Sequence, residues 1–249
     1  DKLYPSATVP EKSGQSFASY VTAEAQRLNV VYVGANDGML HGFSAGSFDS
    51  TGTSYDSSTN TGQEVLAYMP QGVLETIHNS TNTFFDYANA QYGHNFYVDA
   101  TPGTGDLFYN DSNTCPSGSN PCWHTWIVGG LGPGGSEIYA LDITNPANFS
   151  ETNAAMLVKG DWQGGTSATT NPGSFTCPNT SGCALNLGDT YGTPTIRRMH
   201  NGDWALIFGN GLASSTGDAG IFILTIDPSS DAQTMYYLST GQQGSGDGI

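Results

Sequence analysis

The chain has 249 residues, enough for one large all-β domain or two small ones. Only 11% of them are charged, and six Lys or Arg against 22 Asp or Glu give a net charge of −16, which excludes nucleic acid and anionic membrane surfaces as partners by repulsion. Disorder is excluded as well, because 11 Phe, 13 Tyr and 4 Trp supply a core, and polarity comes from Ser, Thr, Asn and 33 Gly in place of charge.

Residues 1–15 have no hydrophobic period and read as a linker. Over 16–28, Phe17, Tyr20, Val21, Ala25 and Leu28 recur at helical spacing, with Ser13 or Ser16 as the cap. Residues 30–33 form an apolar strand, Asn36, Asp37 and Gly38 supply hairpin-turn chemistry, and Met39, His41 and Phe43 then alternate as a second strand. A polar loop over 44–63 precedes a strand at 64–70 and a short helix at 72–78. After an Asn- and Thr-rich loop, strands are expected at 95–99 and 106–109, joined by a turn at 101–105.

The opening design then returns twice. Residues 126–130 lead through a glycine corner into 137–142, and 205–211 lead through a Ser/Thr/Gly loop into 221–226. A short strand is expected at 155–159 and a long loop at 160–188. Strands follow at 193–199, 204–208 and 235–239, with a glycine-rich tail over 241–248. About a dozen short strands with long loops imply a sandwich or a propeller. The wide interval between repeats leaves open two blades or one swollen blade per interval. The tail stops at Ile249 without an ending, so the domain is expected to continue beyond it. Asp1 is expected to be a cut within a longer precursor, since no signal peptide and no run of span length is present.

Several motifs invite chemistry and lose it in context. Gly42 to Gly46 matches Gly-x-Ser-x-Gly, but Ser44 is followed by loop residues and not by the helix that a nucleophile elbow needs. Gly130 to Gly135 matches Gly-x-Gly-x-x-Gly, but a strand follows, so no helix N-terminus faces a pyrophosphate. The histidines His41, His78, His94, His124 and His200 form no metal-spaced pair. No calcium loop of the EF-hand pattern occurs. Asp37, Asp99, Asp106, Asp142 and Asp227 sit beside turn residues and read as turn caps. No residue is nominated as catalytic, cofactor-binding or metal-binding.

Four cysteines fall in two local pairs, Cys115 with Cys122 and Cys177 with Cys183, each in a loop rich in Pro, Ser, Gly and Asn. Local pairing would staple both loops in an oxidising compartment. A zinc site is disfavoured, because there is no Cys-x-x-Cys and the nearest histidine, His124, follows Cys122 by two residues. Cross-pairing between the two loops stays open.

The stretches VYVGANDGMLHGF at 31–43, EVLAYMP at 64–70 and HNFYVD at 94–99 leading to Asp106 carry a resemblance. It continues in WHTWIVGGLGPGG at 123–135, YALDIT at 139–144, YGTPTI at 191–196 and NGDWALIFGNG at 201–211. In order and spacing they resemble the C-terminal β-propeller domain of the type IV pilus tip-associated biogenesis factors and adhesins, the PilC/PilY family. The resemblance spans residue 16 to about residue 240.

It implies an all-β fold, a modified seven-bladed propeller incomplete in this chain, with a short N-terminal helix, long stapled loops and a propeller domain over 16–249. It implies a non-enzymatic role in pilus assembly, control of retraction, surface adhesion and twitching motility. The expected location is extracellular, at the pilus tip and cell surface, reached through the periplasm of a Gram-negative bacterium. The expected partners are minor and major pilins and surface or host ligands, with no nucleic acid and no membrane span. The family's calcium loop is expected beyond Ile249, with Asp247 near its approach, so no cofactor is expected within the chain. No Arg-Gly-Asp occurs to support integrin binding. Two alternatives are a quinoprotein-like propeller dehydrogenase, whose tryptophan register Trp123, Trp126, Trp162 and Trp204 do not show, and a carbohydrate-binding propeller with exposed aromatics in its loops.

Overall fold

The computed structural model describes residues 14–165 and 175–243. The linker over 1–13, the Ser13 cap, residues 166–174 of the long loop, and the tail from 244 with Asp247 lie outside the described residues. The described residues open with α1 (Phe17–Ala23), extended by a 3-10 turn over Glu24–Gln26. Ser16 is its cap: the side-chain oxygen accepts the Ser19 N–H at 3.1 Å. The helix stops short of residue 28 because Arg27 turns extended to feed the first strand, while its guanidinium donates to Thr125 Oγ1 and Thr144 O.

Three antiparallel sheets follow. The first is β1 (Val30–Gly34), β2 (Leu40–Ser44) and, across a loop, β5 (Glu64–Tyr68). The loop carries its own two-residue ladder, β3 (Ser47–Phe48) with β4 (Tyr55–Asp56). After α2 (Gln71–Thr76) comes the second sheet, in order β6 (Gly103–Tyr109), β7 (Cys122–Gly130), β8 (Glu137–Asp142) and β9 (Val158–Gln163). The third runs β10 (Thr195–Arg198), β11 (Trp204–Gly209), β12 (Asp218–Ile226) and β13 (Gln233–Gln243).

Two expected strands differ. Residues 95–99 bridge the first two sheets without joining a ladder: Tyr97 N–H goes to Asn36 Oδ1, Val98 N–H to Ala35 O and Asp99 N–H to Leu131 O. Residues 155–159 split between α3 (Ala154–Leu157) and the start of β9. Ala, Ala, Met and Leu are strong helix formers, and the β-branched Val158 begins the strand.

The second sheet is buried on both faces, and the period-two alternation of its strands decides which side chain meets which neighbour. Trp126, Val128, Ile138 and Ala140 pack against Trp204, Phe208 and Phe222 of the third sheet. Ile127, Tyr139 and Leu141 pack against Leu40 and Val73 on the side of the first. Each such large apolar side chain stabilises the stack by about 1.5–3 kcal/mol.

The repeats align strand by strand. The end of β1, Gly34, is approached by Val98 O at 2.5 Å from where a Cβ would sit, and the end of β7, Gly130, by Thr190 Oγ1 at 2.4 Å. Val98 lies five residues ahead of β6, and Thr190 five ahead of β10. So β1, β2 and β5 correspond to β7, β8 and β9, and to β11, β12 and β13. The leading strands β6 and β10 lie against each other. Among the described residues the first sheet has no counterpart to them, and the sheets form no closed ring. One swollen blade per interval is the outcome. No helix among the described residues is long and apolar enough to cross a membrane.

Candidate functional site

A cavity of about 440 Å³ lies between α1 and the second sheet, lined by Ser16, Tyr20, Cys122, Trp123, His124 and Asp142 among others. Tyr20 lines it from α1 and stacks on Trp123 with ring centroids 6.1 Å apart, and Phe17 packs on the same Trp123 ring at 4.9 Å. Its floor is chemically loaded. Cys122 there forms a disulfide with Cys115, while Cys177 and Cys183 form a second one away from the cavity, in the core beside the third sheet. His124 alternates with Cys122 on one face of β7, so Nε2 stands 3.2 Å from Cys122 Sγ and 3.5 Å from Cys115 Sγ. Nδ1 is 2.8 Å from Asp142 Oδ2, and both side chains are buried. Burial alone would raise the Asp142 carboxyl, but hydrogen bonds from His124 and Thr144 win and hold it below the usual carboxylate range.

A second polar cluster joins the first two sheets. Glu137 on β8, 1% exposed, accepts the Gly72 N–H at 2.7 Å. Asp161 on β9 accepts from Tyr68 Oη at 2.7 Å and from the Gln71 N–H at 2.9 Å. Burial first, then the hydrogen bond and charge of Asp161, push the Glu137 carboxyl up to about 10, against the lowering effect of the Gly72 N–H. Glu137 Oε1 and Asp161 Oδ1 are buried without a fixed donor, and a proton on Glu137 satisfies both.

The expected turn caps divide. Asp37, Asp142 and Asp227 each accept a backbone N–H two residues on. Asp106 instead sits within β6 and accepts from Thr125 Oγ1, and Asp99 accepts from the Asn36 side chain. His41 is bracketed by Asp37 at 2.9 Å and by Glu64. Burial would lower its pKa, but the two carboxylates raise it. Ser44 is buried at the end of β2 and leads into loop, not helix. The glycine corner is a packing device: a Cβ on Gly134 would lie 1.8 Å from Tyr97 O. Sequence reasoning missed the pairing of His124 with Asp142. Hairpin pairing sets Asp142 opposite Trp126, which makes His124 its diagonal neighbour, and the signal lay in the length of the corner.

Comparison with known proteins decides the family. The PilY1 beta-propeller domain model matches residues 4–249. The chain belongs to the PilY1 β-propeller family. It is 31% identical, over 96% of its length, to the type IV pilus biogenesis factor PilY1 of Pseudomonas aeruginosa strain PAO1, and covers 16% of that protein. A PilY1 homolog of Xylella fastidiosa is 30% identical over 88% of the chain, which spans 11% of the relative. The crystal structure of the Pseudomonas aeruginosa PilY1 C-terminal domain superposes with a TM-score of 0.57 at 29% identity, covering 95% of this chain and 36% of that one. The three stacked sheets are thus blades of a PilY1 propeller, and the chain spans a minor part of its PilY1 relatives.

Proposed function

We propose that this segment serves, within a longer protein, as a non-enzymatic platform for type IV pilus biogenesis. The observation that carries the proposal is the family match over nearly the whole chain, joined to three antiparallel blade sheets connected by long loops. Loops on a rigid scaffold vary without cost to the core, so the 44–63, 79–93 and 110–122 loops, with the part of the 160–188 loop beyond β9, are the recognition elements. Assembly, control of retraction, attachment and twitching at an extracellular pilus tip follow as the role, with pilins as partners. The test is in-frame removal of residues 16–243 from the full-length protein in its own host. Loss of sheared surface pili and of twitching zones is expected, and normal piliation would reject the reading. A pyrroloquinoline quinone titration with a dehydrogenase assay tests the enzyme alternative, and saturable turnover would favour it.

One observation favours a second reading, carbohydrate binding. Phe84, Phe85, Tyr87 and Phe96 are each about half exposed in and beside one loop, a surface suited to stacking on sugar rings. Glycan-array binding that disappears in the Phe84→Ala/Phe85→Ala chain would support it, and an array without signal would reject it.

A further inference from the structure

We propose that the Cys115–Cys122 disulfide is the oxidised state of a metal site, in which the reduced Cys115 and Cys122 thiolates and His124 Nε2 bind one thiophilic divalent cation of the zinc class. The three ligand atoms already lie within 4.8 Å of one another. In a tetrahedral site with metal–sulfur bonds of about 2.3 Å and metal–nitrogen bonds of about 2.0 Å, nitrogen and sulfur stand about 3.5 Å apart. The observed Nε2 to sulfur distances are 3.2 and 3.5 Å. Only the two sulfurs must part, from a covalent bond to about 3.8 Å. Cys122 and His124 are fixed on β7, whereas Cys115 sits in the loop between β6 and β7, so the movement falls on the loop.

The histidine is already set for the role. Asp142 Oδ2 accepts at 2.8 Å from Nδ1, which places the proton there and leaves the Nε2 lone pair facing the sulfurs. A carboxylate holding the far nitrogen of a ligating histidine is the usual outer support of a zinc site. Three protein ligands leave a fourth position, and the cavity beneath α1 offers it to water or a small anion. The other disulfide, Cys177–Cys183, belongs to no cluster of three ligating groups among the described residues and is the internal control.

The chemistry balances with an external dithiol as reductant. The dithiol gives two electrons and two protons to the disulfide and becomes a disulfide itself, and the two new thiols then lose two protons to solvent as the cation binds.

The test reduces the full chain with a water-soluble phosphine and titrates it with Co(II), then Zn(II). The expected result is one Co(II) per chain, with a near-ultraviolet thiolate-to-metal charge-transfer band that Zn(II) abolishes. The Cys177→Ser/Cys183→Ser chain keeps the signal and the Cys115→Ser/Cys122→Ser chain loses it. Maleimide labelling with peptide mapping needs no variant: Zn(II) should shield Cys115 and Cys122 at least tenfold over Cys177 and Cys183. Absence of stoichiometric uptake by the reduced chain, or equal labelling of all four cysteines with zinc present, would overturn the proposal.

Discussion

Replacing Glu137 with Gln keeps the shape of the side chain and removes its titration. In the folded chain Glu137 holds its proton up to about pH 10, and unfolded it ionises near its ordinary 4.5. Asp161, Glu75, Tyr68 and Tyr139 surround it, and no cation is among the groups that shift it. Between those two values the unfolded chain binds fewer protons than the folded one, so stability falls as pH rises. It is greatest below pH 4.5 and declines through neutrality toward pH 10. The slope is about 1.4 kcal/mol per pH unit, which bounds the loss between pH 5 and pH 8 at about 4 kcal/mol. That is a large share of the roughly 5–15 kcal/mol of a typical domain. A Gln at this position can accept from the Gly72 N–H through Oε1 and donate through Nε2 to Asp161 at any pH. Urea melts at pH 5, 6, 7 and 8 check the reasoning. The two chains should be nearly equal at pH 5, and Glu137→Gln should be the more stable by several kcal/mol at pH 8. Parallel pH profiles, or a variant that is weaker at pH 8, would refute the shared proton.

Lys159 and Asp111 form a buried pair at 2.5 Å, so Lys159→Met should cost about 3–5 kcal/mol in chemical denaturation by stranding the carboxylate. Its pH sign opposes that of Glu137. Burial would raise Asp111, but Lys159 and local donors hold it at about 2, so its contribution is present above 3.8 and lost as pH falls toward 2. Gly134→Ala should destabilise by more than 2 kcal/mol in the same assay, because the new Cβ meets the Tyr97 carbonyl of a backbone that is itself tied down. Val31→Lys should stay within about 0.5 kcal/mol of the parent and reduce self-association by light scattering, since Val31 is 58% exposed on the free edge of β1. A loss above 2 kcal/mol would show that this edge is covered in solution.

What could be read from sequence was whatever local chemistry dictates. The Asn36 to Gly38 turn, the Ser16 cap and the alternation of β2 each depend on a few neighbouring residues, and each stands as expected. The bridge at 95–99 misled because its Phe, Tyr and Val have strand propensity while its hydrogen bonds go to Asn36, Ala35 and Leu131, which are remote in sequence. The site was legible only in part. Two cysteines close in sequence signal a staple, but that His124 reaches both sulfurs follows from β7 remaining a strand up to Cys122. Glu137 gave no signal at all, since its raised pKa comes from α2 and β9 closing over it.

The correspondence of β1 with β7 and β11 gives the opening hairpin its structural meaning. β7 and β11 are flanked on both sides, by β6 and β8 and by β10 and β12, and their residues are largely buried. β1 has the same apolar, β-branched composition but among the described residues pairs only with β2, and Val31 and Val33 stand 58% and 46% exposed. Exposed edge strands are ordinarily protected by a charge, a proline or a bulge. Val30 to Gly34 carry no charge and no proline, and the β1–β2 register is unbroken. The residues of β1 are therefore those of an interior strand placed at an edge. The same logic explains why the three hairpins resemble one another while the leading strands do not. The second and third strands of each blade pair with each other in every sheet, whereas β6 and β10 are shaped by contact with each other: a Cβ on Gly105 of β6 would lie 2.7 Å from Ile196 of β10.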